Sequence, residues 1–316
     1  MTLFCTRGGE KGNSRYDCYK LNSEDIMDFG VSFPQTQIGN DPAIMRNFVT
    51  TAEDLGFERL TLVDHILGAK DAKDAPWAVH YTIEYGFHEP MTLFAWIAAF
   101  TTKMQLVTAN VVLPQRQTEL VAKQTAEIDI LTGGRMVLGV GVGWSASEFE
   151  ALGMNFTNRG ARMEEQIALL RALWTDELVE FDGKWHKMSD MGMNPLPIQR
   201  PIPIWIGAME DVAIRRAGRI GDGWLMSPRT KPDDVMRAKI EVFREAAVGA
   251  GRDPGTLGID ATVFAEDRGP NEWLSEAQAW RDMGATSVTF RTSESGFTHI
   301  DQHLSAMRRL ADAVGG

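Results

Sequence analysis

The chain has 316 residues, 44% hydrophobic and 24% charged, which is enough apolar material to bury a sizeable core and excludes disorder over most of its length. A formal net charge of −11, with arginines scattered instead of massed, argues against a nucleic-acid surface. The longest apolar stretch, Met91 to Phe100, is too short to span a bilayer. Cys5 and Cys18 are the only cysteines and form no CxxC pair, so neither a zinc framework nor a disulfide scaffold is expected; with no signal-like opening, the reading is a reduced, cytoplasmic compartment.

Residues 1–26 show no sustained period and read as an irregular extension, with Met27 a possible true start; residues 27–316 read as a single domain. From Asp28 onward strand-like and helix-like runs alternate. DFGVSF (28–33) precedes a helix capped by Asp41, opened by Pro42 and stopped at Gly56, with Ile44, Phe48, Ala52 and Leu55 on one face. RLTLV (59–63) is followed by a long polar and aromatic loop to Glu89 and a helix opened by Pro90. MQLVTANVV (104–112) leads to a helix over 118–131 that Gly133 and Gly134 end. RMVLGVGVG (135–143) leads to a helix carrying Met163, Ile167, Leu170 and Trp174 at helical spacing. Residues 176–201 interrupt the pattern as an insertion with a hairpin, VEFDGKWHKM, whose Asp182-Gly183 suits a type I′ turn. PIWI, GWLM, GIDATV and TSVTF then each precede a helical stretch. Eight β-α units in about 290 residues are what a (β/α)8 TIM barrel with insertion segments requires.

Within RMVLGVGVGW, Gly141, Gly143 and Ala146 satisfy G-x-G-x-x-G/A, the fingerprint of a dinucleotide-binding doubly wound sheet. That fingerprint belongs in a first β-α turn, whereas this is the fourth unit and a hairpin follows, so the barrel is preferred. Ser145 with Glu148 three residues on reads as a capping box. Gly139, Gly141 and Gly143 share one strand face, and periodicity alone does not say whether that bare face meets the helices or the barrel interior.

The runs LVDHI (62–66), TANVVLPQRQTELVAKQTAEIDILTGGRMVLGVGVGW (108–144), FEALGMNFTNRGARMEEQIALLRALWT (149–175) and RRAGRIGDGW (215–224) resemble the bacterial luciferase-like family, in particular its subgroup that uses the deazaflavin coenzyme F420. The resemblance runs from about Asp28 to the C-terminus. It implies a luciferase-like TIM barrel, a cofactor ring at the C-terminal ends of the strands, and a homodimer.

By position, the resemblance puts Asp64 and His65 against the ring. His65 is then the residue that gives or takes the proton accompanying hydride transfer, and Asp64 either hydrogen-bonds the ring or tunes its neighbour. Thr108, Ala109 and Asn110 fall where the family has a bulge with a cis non-prolyl peptide, at Ala109-Asn110, behind the ring. Val142 and Gly143 fall beside the ring. Trp144 takes the place of an acidic residue of the sugar-phosphate dehydrogenases, which points to a bulkier, less polar substrate. The aromatic loop AVHYTIEYGFHEP (78–90) is expected to cover the pocket. Relatives hold the cofactor phosphate on a Gly-Gly-x-Ser turn; this chain has Gly207, Ala208, Met209 and Glu210 there. Glu210 and Asp211 are therefore expected to repel a phosphate, unless Glu210 turns outward or Arg215, Arg216 and Arg219 offset it. Two other constellations read as ordinary structure. Arg159, Arg162, Glu164 and Glu165 suit a solvated helix face, and His299 and His303, at i and i+4 without the Glu of an HExxH motif, are not expected to hold a metal.

The expectation is thus an F420-dependent oxidoreductase moving a hydride between deazaflavin and a small, fairly apolar organic molecule. An FMN-dependent monooxygenase fed by a separate reductase is the alternative within the same barrel. A non-catalytic ligand-binding barrel with a degraded phosphate site is a third reading.

Overall fold

The computed structural model describes residues 3–8, 15–20, 28–71 and 79–315. In the N-terminal stretch, where no period is visible in the sequence, β1 (Leu3–Gly8) and β2 (Arg15–Lys20) pair as an antiparallel ribbon. The rest of residues 1–26 lies outside the described residues.

Every run read as a barrel strand becomes one. β3 (Asp28–Ser32), β4 (Arg59–Leu62), β5 (Gln105–Thr108) and β7 (Met136–Gly141) form the first half, with β6 (Val111–Val112) a short continuation beside β7. β10 (Ile204–Ala208), β11 (Gly223–Met226), β12 (Gly258–Phe264) and β13 (Ser287–Arg291) form the second. All neighbours are parallel, and pairing of β10 with β7 and of β13 with β3 closes the cylinder. The run 104–112, read as one strand, is two, because the chain bulges at Ala109-Asn110 between β5 and β6.

Alternation along the strands separates two environments. Leu60, Leu106, Leu138, Ile206, Ala261 and Val288 point outward into the large core shared with the helices. Thr61, Val107, Val137, Leu225 and Asp260 point inward, where they line the barrel interior with Trp205 and Arg59. Gly139 shares the inward face of β7: a Cβ there would lie 1.7 Å from the Thr108 carbonyl oxygen and 2.8 Å from Leu225 Cδ1. The bare glycine face therefore meets the barrel interior and the neighbouring strand. At Gly139 the missing side chain lets β5 and β7 approach.

The helices start and stop where their residues dictate. α1 (Pro42–Asp54) takes Asp41 as N-cap, its carboxylate accepting from the Ala43 N–H, and α2 (Pro90–Ala98) takes Glu89 in the same way. α3 (Thr118–Thr132) ends on Gly133 in the left-handed region, φ 70°. α4 (Ala146–Ala151) and α5 (Arg159–Thr175) follow β7; α6 (Asp211–Ile220), α7 (Asp234–Gly249), α8 (Pro270–Asp282) and α9 (Ile300–Gly315) complete the outer layer. No helix among the described residues is long and apolar enough to cross a membrane.

The insertion forms the hairpin of β8 (Val179–Asp182) and β9 (Lys187–Met191). Its turn is not the two-residue type I′ turn expected from Asp182-Gly183, since Asp182 pairs with Lys187 across a four-residue loop. The Glu165 carboxylate on α5 organises that loop, accepting from the Lys184, Trp185 and His186 N–H groups at 2.7–2.8 Å and meeting His186 Nδ1 at 2.8 Å. One carboxylate receiving several donors outweighs any local turn preference. Gln199, beyond the hairpin, ties back to Asp129 and to the Met136 carbonyl.

Candidate active site

At the C-terminal ends of the strands lies a cavity of about 650 Å³. Asp64, His65, Ala109, Asn110, Val142 and Gly143 all line it, as do Trp144, Gly207, Ala208, Met209 and Glu210, from four different strand ends or the loops that follow them. Thr108 does not. It is fully buried, its hydroxyl donating to the Gly139 carbonyl at 2.7 Å, so it holds β5 to β7 behind the wall. The Ala109-Asn110 peptide is cis. Asn110 is the residue Gly207 accommodates: a Cβ at 207 would meet Asn110 Nδ2 at 2.1 Å.

His65, 9% exposed, has a partner that the sequence reading did not assign to it. Its Nδ1 lies 3.2 Å from Glu148 Oε1. The same oxygen accepts from the Ile66 and Leu67 N–H groups at 2.9 and 3.0 Å, and Oε2 accepts from Gln115 Nε2 at 3.2 Å. Burial raises the Glu148 pKa, but the His65 and backbone donors outweigh it and hold the carboxyl below its usual range. The capping box read from Ser145 and Glu148 is thus half correct. Ser145 Oγ does accept from the Glu148 N–H and cap α4, while the Glu148 side chain turns away to His65. A carboxylate fixed by three other donors can orient an imidazole, because it cannot itself move off.

Asp64 lines the cavity, and its carboxylate has partners within the protein. Its Oδ1 pairs with Arg116 Nη2 at 2.9 Å and its Oδ2 accepts from the Val112 N–H at 3.2 Å. Arg116 in turn pairs with Glu89 at 2.9 Å, making a chain of three charges. Burial nevertheless dominates and pushes the Asp64 carboxyl upward, with Arg116 and Val112 opposing. The carboxylate that meets His65 is thus Glu148, not Asp64.

The other face of the imidazole is apolar. Tyr81, Phe87 and Trp144 stand 5.2, 5.3 and 5.5 Å from it between ring centroids, and Tyr81 and Phe87 stack on each other at 5.4 Å. Of the aromatic loop, Tyr81 lines the cavity, and Phe87 stacks on it beside an adjoining recess. Ala78, the loop's first residue, lies outside the described residues.

At the end of the cavity formed by the N-termini of α5 and α6, the charge run read as a solvated face does otherwise. Arg159 and Arg216 both line the cavity. Glu164 holds Arg216 at 2.8 Å and Arg219 at 2.9 Å, and Arg216 lies over Gly160, where a Cβ would come within 2.8 Å of Nη2. Arg159 packs its guanidinium 3.7 Å from the Phe156 ring centroid. Burial, and then the charge of Arg216, lower the Arg159 pKa, the signature of two cations held close together. Glu210 is exposed and makes no side-chain cap on α6. Two arginines from different helices thus converge on the same cavity that Glu210 lines. Sequence held a signal for this in the arginines themselves, but their convergence needs the fold.

His303 is buried with Nδ1 2.8 Å from Thr292 Oγ1, and burial lowers its pKa to about 4. It belongs to the packing of α9 on the barrel.

The sequence profile of luciferase-like monooxygenases matches residues 27–309. The chain is 28% identical over 282 residues to an F420-dependent glucose-6-phosphate dehydrogenase of Kineococcus radiotolerans, covering 86% of this chain and 76% of that one. It is 31% identical over 286 residues to the enzyme of the same description from Amycolatopsis mediterranei, covering 86% and 78%. Among solved structures, a monooxygenase from Streptomyces bottropensis superposes with a TM-score of 0.76 at 22% identity, covering 91% of this chain and 98% of that one. An F420-dependent secondary alcohol dehydrogenase superposes with a TM-score of 0.74 at 16% identity, covering 91% and 99%; both are likenesses of fold. The profile match and these relatives place the chain as an enzyme of the F420- and flavin-dependent oxidoreductase class, and it belongs to the luciferase-like monooxygenase family.

Proposed function

We propose that the protein is an F420-dependent oxidoreductase that transfers a hydride between the deazaflavin ring and a small, fairly apolar organic substrate. The observation that carries this reading is one continuous cavity with His65 on one wall, the cis Ala109-Asn110 bulge on another and the Arg159–Arg216 pair at one end. The residues fit such a group. A polar, anion-compatible end and an apolar body with a few placed polar atoms are what a ring carrying a phosphate tail needs. Ala109, Asn110, Val142 and Gly143 would hold the ring; Arg159, Arg216 and the N–H groups at the start of α6 would hold the phosphate. When bound, the deazaflavin supplies the hydride chemistry.

The chain's own contribution is orientation and one proton. Glu148 accepts from Nδ1–H of His65 and so leaves Nε2 as the nitrogen available for proton exchange with substrate. Tyr81, Phe87 and Trp144 pack around the imidazole and would give the substrate an apolar wall. Asp64 and Arg116 fix the loop that carries Val112 behind the bulge.

The test is a fluorescence titration with oxidised F420 and, separately, FMN, repeated on Arg216→Ala. Micromolar F420 binding, weakened by about tenfold or more when a charge-assisted phosphate contact is removed, is the expected result. No F420 binding at about 100 μM, far above an ordinary enzyme's micromolar affinity, overturns the reading. Preferential FMN binding with oxygen uptake from the reduced form assigns the protein to the two-component monooxygenases instead.

A further inference from the structure

The half of the cavity away from the bulge is polar in a way that the reading above does not use. Arg291, at the end of β13, is 9% exposed and lines both the main cavity and an adjoining recess. The recess, about 20 Å³, has room for roughly one small polar group. Tyr81, Phe87, Arg291, Ser293 and Glu294 are among the residues that line it. Arg291 gives Nη2 to Glu294. Its Nε is buried without a hydrogen-bond partner, and Nη1 makes no hydrogen bond among the described residues. Donors left unpaired on a guanidinium in a cavity wall are costly unless something else accepts from them.

The arginine is also held rigidly. Glu294 bridges to Arg229 at 3.0 Å and Arg229 to Glu266 at 3.3 Å, while both guanidinium groups lie over the Phe264 ring. Glu294 adopts φ 60°, a left-handed conformation that a residue with a Cβ holds only when its surroundings enforce it. Two arginines and two glutamates leave this cluster without net charge. A neutral oxygen can therefore accept from Arg291 without displacing anything, whereas a carboxylate would have to sit beside Glu294 and be repelled.

We propose that Arg291 is the substrate-selecting residue of the cavity, donating to the carbonyl oxygen of a neutral substrate whose ring or alkyl body lies along Tyr81 and Phe87. This rests on the oxidoreductase reading only in placing the substrate in the half of the cavity that the ring does not take. A carbonyl there belongs to a ketone, aldehyde or enone, or to the product of oxidising an alcohol.

The test uses the full-length protein with saturating F420 and three probes at about 1 mM, acetophenone, benzoate and ethylbenzene, followed by saturation-transfer NMR. Acetophenone is expected to bind the wild type, and about tenfold more weakly to Arg291→Met, the loss of one hydrogen bond to a charged donor. Ethylbenzene is expected to bind both alike, and benzoate more weakly than acetophenone. Absent acetophenone binding, unchanged acetophenone affinity in the variant, or tighter binding of benzoate would each overturn the proposal. If circular dichroism shows Arg291→Met unfolded, Arg291→Lys, which keeps a charge for Glu294 and loses the free nitrogens, carries the same comparison. Should the wild type fail to bind F420, the cofactor reading falls while the three probes are still compared on the cofactor-free protein.

Discussion

Replacing Glu148 by glutamine tests the His65–Glu148 pair while sparing the fold. The carboxylate accepts from the N–H groups of Ile66 and Leu67, from Gln115 and from His65. Truncation to alanine leaves those donors unsatisfied in a buried place, at about 1–3 kcal/mol each before any repacking, and Glu148→Ala is expected to lose most of the protein's stability. Glutamine keeps an oxygen for the backbone donors. Gln115 Oε1 is buried without a partner, so a flipped Gln115 amide can accept from the new side-chain NH2. Glu148→Gln should therefore unfold within about 1 kcal/mol of wild type at pH 7. The sign of the acid dependence follows from the depressed carboxyl. Its folded pKa lies below the unfolded value of 4.5, so it contributes stability above 4.5 that is lost as pH falls through the folded value. The glutamine variant has no such titration and should close the gap to wild type between neutral pH and pH 3 in urea unfolding. Long-range 15N–1H NMR at pH 8 gives the functional readout: His65 should show the Nδ1–H tautomer in the wild type. A wild-type Nε2–H tautomer would refute the reasoning outright, because Glu148 would then not be the acceptor.

Three further outcomes are expected. Asp260 sits inside the barrel with Ser287 and Thr289 hydroxyls on its oxygens at 2.7 Å, and burial raises its pKa despite Arg59. The native state thus binds more protons above the ordinary carboxyl range, wild-type stability falls as pH rises through the raised value, and Asp260→Asn should gain on wild type between pH 5 and pH 8 in urea midpoints. Gly139→Ala drives a Cβ against backbone at Thr108 and should cost several kcal/mol in melting experiments, of the order that overpacking costs or more. Gly207→Ala meets the Asn110 side chain first, not backbone, and should cost less stability while weakening F420 binding. Glu210→Ser should tighten F420 binding by less than tenfold, since an exposed charge is screened; a gain above tenfold in the titration would mean that Glu210 faces the phosphate directly.

Much of the architecture was legible in the chain. Hydrophobic alternation, the Asp41-Pro42 and Glu89-Pro90 openings and the Gly133 stop are local signals, set by backbone sterics and by caps within four residues. They gave the eight β-α units, and residues 62–66 and 108–144 gave the family, the Asp64-His65 wall and the cis peptide. Some local readings nevertheless failed where a distant group intervened. The type I′ turn at Asp182-Gly183 yielded to Glu165, and the second half of the Ser145–Glu148 capping box yielded to His65, 83 residues away in sequence. What only the tertiary structure decided were pairings of this kind: which face of β7 looks inward, which carboxylate orients the histidine, and that Arg159 and Arg216 from separate helices meet at one cavity end. A solvated charge and a functional one look alike in a sequence. They differ by the few ångströms, and the degree of burial, that folding sets between residues tens of positions apart, and Coulomb energy and hydrogen bonding depend steeply on both.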